Sequence, residues 1–168
     1  FFPFMLGIVG CAILINLGMW QTKRLQWKTE VLSEIDKKLK AYPEELPLKL
    51  SRIDDQYRSI GLQGEFLKNE LHVLTSIKFK GPGYRIIAPF LLDDGRLIMV
   101  DRGFIKETEK LNSRPLGITK VIGNLLWPNE TDNFTPEPNL ELNIWFSREI
   151  NLMAKELGTE PVLLVLKM

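Results

Sequence analysis

A chain of 168 residues with 45% apolar side chains is long enough to bury one substantial core. Its 22 Lys and Arg are interleaved with 21 Asp and Glu, which leaves no basic stripe for nucleic acid to follow. A single cysteine excludes an internal disulfide and a CxxC or zinc-ribbon site, and a single histidine argues against most metalloenzymes and catalytic triads.

The chain opens with FFPFMLGIVGCAILINLGMW, in which Asn16 is the only strongly polar side chain. Twenty helical residues at about 1.5 Å each span about 30 Å, the thickness of a bilayer core. Trp20, Lys23, Arg24 and Trp27 supply the aromatic and cationic anchors of a membrane interface. A cleaved signal peptide typically has a shorter apolar region ending in small residues, and a soluble helix apolar all round needs a large core to hide in. The reading is a membrane helix over residues 1–22, in contact with membrane lipid, with Cys11 as a small buried hydrophobe. Because the sequence starts without Met, a preceding or removed segment is expected. Helix continues over 23–42, where Leu25, Leu32, Ile35 and Leu39 form one apolar stripe on a charged background. That stripe should be covered by the protein's own β domain, with a partner helix as the alternative. Pro43 and Pro47 stop the helix.

From Tyr57 the period changes to that of strands, and residues 43–168 read as one β-rich domain. Ile60, Leu62 and Phe66, with Gly64 in phase, form one strand and Leu71–Leu74 another. Gly81–Phe104 is a long hairpin. Tyr84, Ile86, Ala88, Phe90 and Leu92 alternate as in a half-buried strand, Asp94-Gly95 turns, and Leu97–Val100 returns as a run covered on both faces. Pro89 should sit at an edge or bulge because it cannot donate to a ladder, and Arg102-Gly103 marks a strand end or bulge. Asn112–Gly117 is a loop, Val121–Trp127 a strand, and Asn129–Asn143 an aperiodic stretch long enough to be a binding loop. Ser147 should cap a helix with Ile150, Met153, Ala154 and Leu157 on one face and Gly158 at its end; Pro161–Leu166 is the last strand. The fold class is therefore α+β: an N-terminal membrane-anchoring helix, then an antiparallel sheet or partial barrel with peripheral helices.

No catalytic signature accompanies this pattern: there is no GxSxG, HExxH or phosphate-cradling glycine loop, and Asp54-Asp55 and Asp93-Asp94 read as solvated loop pairs. The protein is read as a non-enzyme. His72, flanked by Leu71, Val73 and Leu74, reads as an ordinary strand residue before it reads as a ligand. One cysteine and one histidine cannot supply the soft ligands of a copper carrier.

Ordered short motifs add a further reading. They are Leu17-Gly18-Met19-Trp20-Gln21 with Arg24 and Trp27-Lys28, and Gly64-Glu65-Phe66 with Glu70. Pro82-Gly83-Tyr84, Pro89-Phe90 and Val100-Asp101-Arg102-Gly103-Phe104 follow. Arg114-Pro115, Gly123, Asn143-Ile144-Trp145 with Arg148, and Glu160-Pro161 complete the series. In this order they resemble the Surfeit locus protein one family of membrane-anchored cytochrome c oxidase assembly factors. The chain departs at Asp101, Lys106 and Glu149, where asparagine, proline and aspartate are common, and it contains no second membrane helix, which the resemblance implies. That resemblance implies a β domain on the periplasmic or intermembrane-space side of a bacterial or mitochondrial inner membrane. It also implies a role in delivering haem a, or in holding the oxidase's catalytic subunit while haem enters. A structural subunit retained in the mature oxidase is the alternative. No tightly bound cofactor is expected, only transient haem a, for which His72 would be the sole imidazole in the chain. Arg102 and Arg148 could hold a haem propionate or a partner carboxylate, or could form internal ion pairs or bonds to loop carbonyls. Trp145 and Phe146 beside Arg148 form a candidate partner-binding cluster, with core packing as the other reading of Trp145.

Overall fold

The computed structural model describes residues 1–167 and divides the chain into two compact units, Phe1–Lys40 and a second beginning at Ala41. The first unit is a single uninterrupted α-helix, α1, over Phe2–Lys40. Pro3 is tolerated in the first turn, where its missing N–H would be an orphan in any case, and Pro43 stands beyond the end. α1 is long and apolar enough to cross a membrane.

The second unit contains β1 (Ser59–Phe66), β2 (Leu71–Ile77), β3 (Gly81–Leu92), β4 (Leu97–Lys106) and a 3-10 turn at Glu107–Glu109. It continues with β5 (Gly117–Leu126), α2 (Ile150–Leu157) and β6 (Leu163–Leu166). The strands are ordered β1-β5-β6-β4-β3-β2, and β3 also pairs with β1 from Gly64↔Leu92 to Phe66↔Phe90. That second pairing closes five strands into a barrel and leaves β2 as an extension beyond it. The expected antiparallel sheet is corrected to a mixed one, because β6 runs parallel to β4 and antiparallel to β5. A four-residue apolar strand carries no directional signal; α2 sets its direction. The expected peripheral helices reduce to α2 and the 3-10 turn among the described residues.

Side chains alternate into two apolar clusters. Ile60, Phe66, Phe90, Ile98, Val100 and Leu164 fill the barrel, while Ile87, Met99, Trp145, Met153 and Leu163 pack on its outer face with α2. β3 is thus covered on both faces, not half-buried as its alternation suggests. Between Arg85↔Phe104 and Ile87↔Asp101, β3 advances two residues and β4 three. The extra residue is the expected bulge at Arg102-Gly103, where Gly103 takes a φ of 101°. Pro89 sits at no edge. It lies where β3 changes partner, after its pairing with β2 ends at Ile87 and before its pairing with β1 begins at Phe90, so no ladder needs its N–H. Its carbonyl still accepts from Leu67 N–H at 3.0 Å.

Two loop expectations also change. Glu149, not Ser147, occupies the N-cap of α2, while Gly158 ends the helix as expected with a φ of 67°. Asp55 is buried and accepts from Ser51 N–H and Arg58 Nη1, both at 2.8 Å, so within that pair only Asp54 is an exposed loop acid.

Candidate functional site

On β4, Ile98 and Val100 point into the barrel, and Asp101, one step further along, belongs to the opposite face. It is fully buried, at 0% exposure. An ionised carboxylate there is costly unless every lone pair is met. Arg85 Nε donates to Oδ2 at 2.6 Å, and the bulge turns Gly103 N–H back onto Oδ1 at 2.9 Å. Arg148 Nη1 stands 3.6 Å from Oδ2. The same Arg148 donates from Nε at 3.1 Å to both oxygens of Glu130, again from Nη2, and from its main-chain N–H at 3.2 Å. Two acids thus face two arginines, and the aperiodic stretch after Trp127 is tied to the barrel wall. Burial by itself would push the Glu130 carboxyl up, but the bond and charge of Arg148 outweigh it and hold the group below its usual range. Arg148 is the mirror case: burial pulls it down, and Glu130 with Asp101 leaves it raised.

A second charged group lies at the start of β2. Glu70 Oε1 meets His72 Nε2 at 2.8 Å and Arg114 Nη1 at 2.7 Å. Asn143 locks this corner by donating Nδ2 to Glu70 O at 2.8 Å and by accepting from His72 N–H at 3.4 Å. Arg102 lies with its guanidinium carbon 4.1 Å from the Phe66 ring centroid and donates Nη2 to Pro115 O at 2.9 Å. Burial lowers its pKa, Glu70 offsets part of that, and Arg114 adds to it. His72 sits 5.8 Å from the Tyr84 ring. Its Nε2 is taken by Glu70, and Nδ1 is enclosed with no partner, so His72 presents no accessible nitrogen to a haem iron. Among the described residues no three His, Cys, Asp or Glu are placed to hold a metal ion.

A profile of the SURF1 family matches residues 8–168. The chain belongs to the SURF1 family. Surfeit locus protein 1 of Rattus norvegicus is 27% identical over 174 residues, covering 90% of this chain and 56% of the rat protein. A SURF1-like protein of Rickettsia bellii is 26% identical over 87% of this chain and 62% of its own length. The Saccharomyces cerevisiae relative, 30% identical over 94% of this chain and 45% of its own, is named cytochrome oxidase assembly protein SHY1. The chain therefore spans about half the length of the curated relatives it matches.

The short motifs noted in the sequence fall at several places in the structure. Around one corner, Arg102 joins Phe66 to Pro115, and Arg114 pairs with Glu70. Asp101, Gly103 and Arg148 make the second. Pro82 and Gly83 pair with Ser76 and Thr75 of β2, while Pro89 and Phe90 mark where β3 meets β1. Trp20, Gln21 and Arg24 lie on α1, where the Arg24 guanidinium stands 5.2 Å from the Trp20 ring. The candidate cluster Trp145, Phe146 and Arg148 is not one surface. Trp145 is 2% exposed in the outer apolar cluster, with its main chain bridged to His72 and Leu74 of β2; Phe146 is 40% exposed; Arg148 faces inward to Glu130 and Asp101. Sequence reading passed over Arg85 and Glu130. Arg85 is an ordinary polar position in an alternating strand, and Glu130 lies in a stretch without period, so neither carries a signal.

Proposed function

We propose that this chain is the anchored β-domain portion of a non-enzymatic cytochrome oxidase assembly factor, acting on the haem-bearing catalytic subunit while haem a is inserted or held. The observation that carries this reading is the SURF1 match over residues 8–168, read with the yeast relative's name. α1 supplies the membrane anchor, and the β domain faces the periplasm or the intermembrane space. The internal balance of Asp101, Glu130, Arg85 and Arg148 favours a scaffold: these charges satisfy one another and position a loop, and none is left free as an acid or base. Contact with haem a is transient and uses no imidazole of this chain, since His72 is enclosed.

The test is reduced-minus-oxidised spectroscopy on membranes of a deletion strain. Haem a per oxidase falls while other respiratory complexes stay near normal. An unchanged haem a signal overturns the haem role. Recovery of the protein in equimolar amount with purified, fully haem-loaded oxidase would replace it with the retained-subunit reading. Protease added to sealed right-side-out vesicles or mitoplasts digests the β domain; full protection overturns the orientation.

A further inference from the structure

Two adjoining hollows flank Leu140, one of about 470 Å³ against α2 and one of about 280 Å³ against the Glu70 corner. They share Leu140, Trp145 and Glu156, so they form one groove. The hollow at the Glu70 corner has a polar lining that includes Asn69, Glu70 and Asn143, whereas the one beside α2 is apolar and open: Leu140, Phe146 and Leu152 are all exposed, and Pro136 and Pro138 stiffen the facing loop. Its rim is acidic. Glu149, Leu152 and Glu156 recur at three and four residues and so lie on one side of α2. Glu137 faces them from the loop. No lysine or arginine lines either hollow, and none of Glu137, Glu149 and Glu156 has an ion pair among the described residues. This contrasts with the fully compensated acids next door.

Exposed apolar side chains beside α2 and uncompensated carboxylates on both rims together define the complement. We propose that this groove docks a segment of a partner protein that presents apolar side chains flanked by lysine or arginine. The proposal leans on the function above only for which protein owns that segment.

The experiment uses the full chain in native membranes with photoactivatable p-benzoylphenylalanine at Leu152 or at Phe146, and at Ile118 on β5 as an exposed position outside the groove. The expected result is an adduct from both groove positions and none from Ile118. Mass spectrometry should find in the adduct a peptide with at least about two cations among apolar residues. The triple substitution Glu137→Gln, Glu149→Gln, Glu156→Gln should cut adduct yield about tenfold at unchanged protein level, since exposed charge pairs contribute modestly and add up. If that variant accumulates poorly, the unaltered chain at about 0.5 M salt should show the same loss. No adduct from either groove position, equal adducts from Ile118, a neutral or acidic captured peptide, or salt-independent yield overturns the proposal. A basic apolar peptide from a protein outside the oxidase upholds the groove and overturns the oxidase reading. A haem a defect on deletion without groove adducts does the reverse.

Discussion

Asp101 and Arg148 belong to one network, yet their removal should not cost the same. Asp101→Ala takes away a carboxylate with no solvent contact whose two oxygens meet Arg85, Gly103 N–H and Arg148. Arg85 and Arg148 are mostly covered, with side-chain exposures of 23% and 16%, so the loss leaves a buried cation short of its partner and orphans an amide. Breaking such a pair from one side costs about 3–5 kcal/mol. Arg148→Ala is milder. Asp101 keeps its 2.6 Å bond to Arg85 and its bond from Gly103, and Glu130, at 38% side-chain exposure, rehydrates. That loss should be about 1–2 kcal/mol. At a urea slope of about 2 kcal/mol per molar, the midpoints fall by about 2 M and by less than about 1 M. Pulse proteolysis of the full chain in membranes across a urea series reads both. Asp101→Asn, which can still accept from Gly103, should fall between them. If Arg148→Ala is as damaging as Asp101→Ala, or Asp101→Ala moves the midpoint by under about 0.5 M, the network does not hold this wall together.

Gly83→Ala should lower the melting point and cellular level by more than about 2 kcal/mol equivalent, because a Cβ there would lie 2.1 Å from Ile105 O and 2.6 Å from the Phe104 ring. Wild-type melting would refute that close approach. Gly103→Val should cost about 1–3 kcal/mol through its φ of 101°, read in the same melt; normal abundance would show that the bulge tolerates a side chain. For pH, the Glu130 carboxyl is held below its usual range in the folded protein. Its contribution is therefore complete above the unfolded value, about 4.3, and is lost as pH falls through the folded one. Glu130→Gln should flatten the acid limb of the stability profile, and an unchanged limb would place the acid sensitivity elsewhere.

Periodicity exposed most of the strands, because each has one side in the barrel and the 2.0-residue repeat is written by that burial. α1 was legible for the opposite reason: length and apolarity alone define it. The Arg102-Gly103 bulge could be read from a flexible residue beside a long cation inside an apolar run. Pro89 misled, since a missing donor fits any place where a ladder is absent, and a change of partner within one strand is such a place. Ser147 misled because a good capping residue has no effect unless the helix starts beside it, and packing of Ile150 starts this helix three residues on. Direction was illegible for β6. The candidate cluster failed as a unit because adjacency in sequence at Trp145, Phe146 and Arg148 spreads over opposite sides of an irregular segment, while Glu70 and Arg114, 44 positions apart, touch.

β6 has one more consequence, for how the protein comes into being. It is hydrogen-bonded on both sides, to β4 through Met99, Val100 and Asp101 and to β5 through Gly123 to Leu126. Both of those neighbours leave the ribosome well before it. Until Leu163–Leu166 arrives, the ring is a curled sheet with a slot between two bare edges, and its arrival closes that slot. During that interval the slot accepts any extended apolar tetrapeptide, including the β6 of another copy. The hazard is a strand exchanged between nascent chains, and a chain interrupted before Leu163 would be left with the slot permanently open.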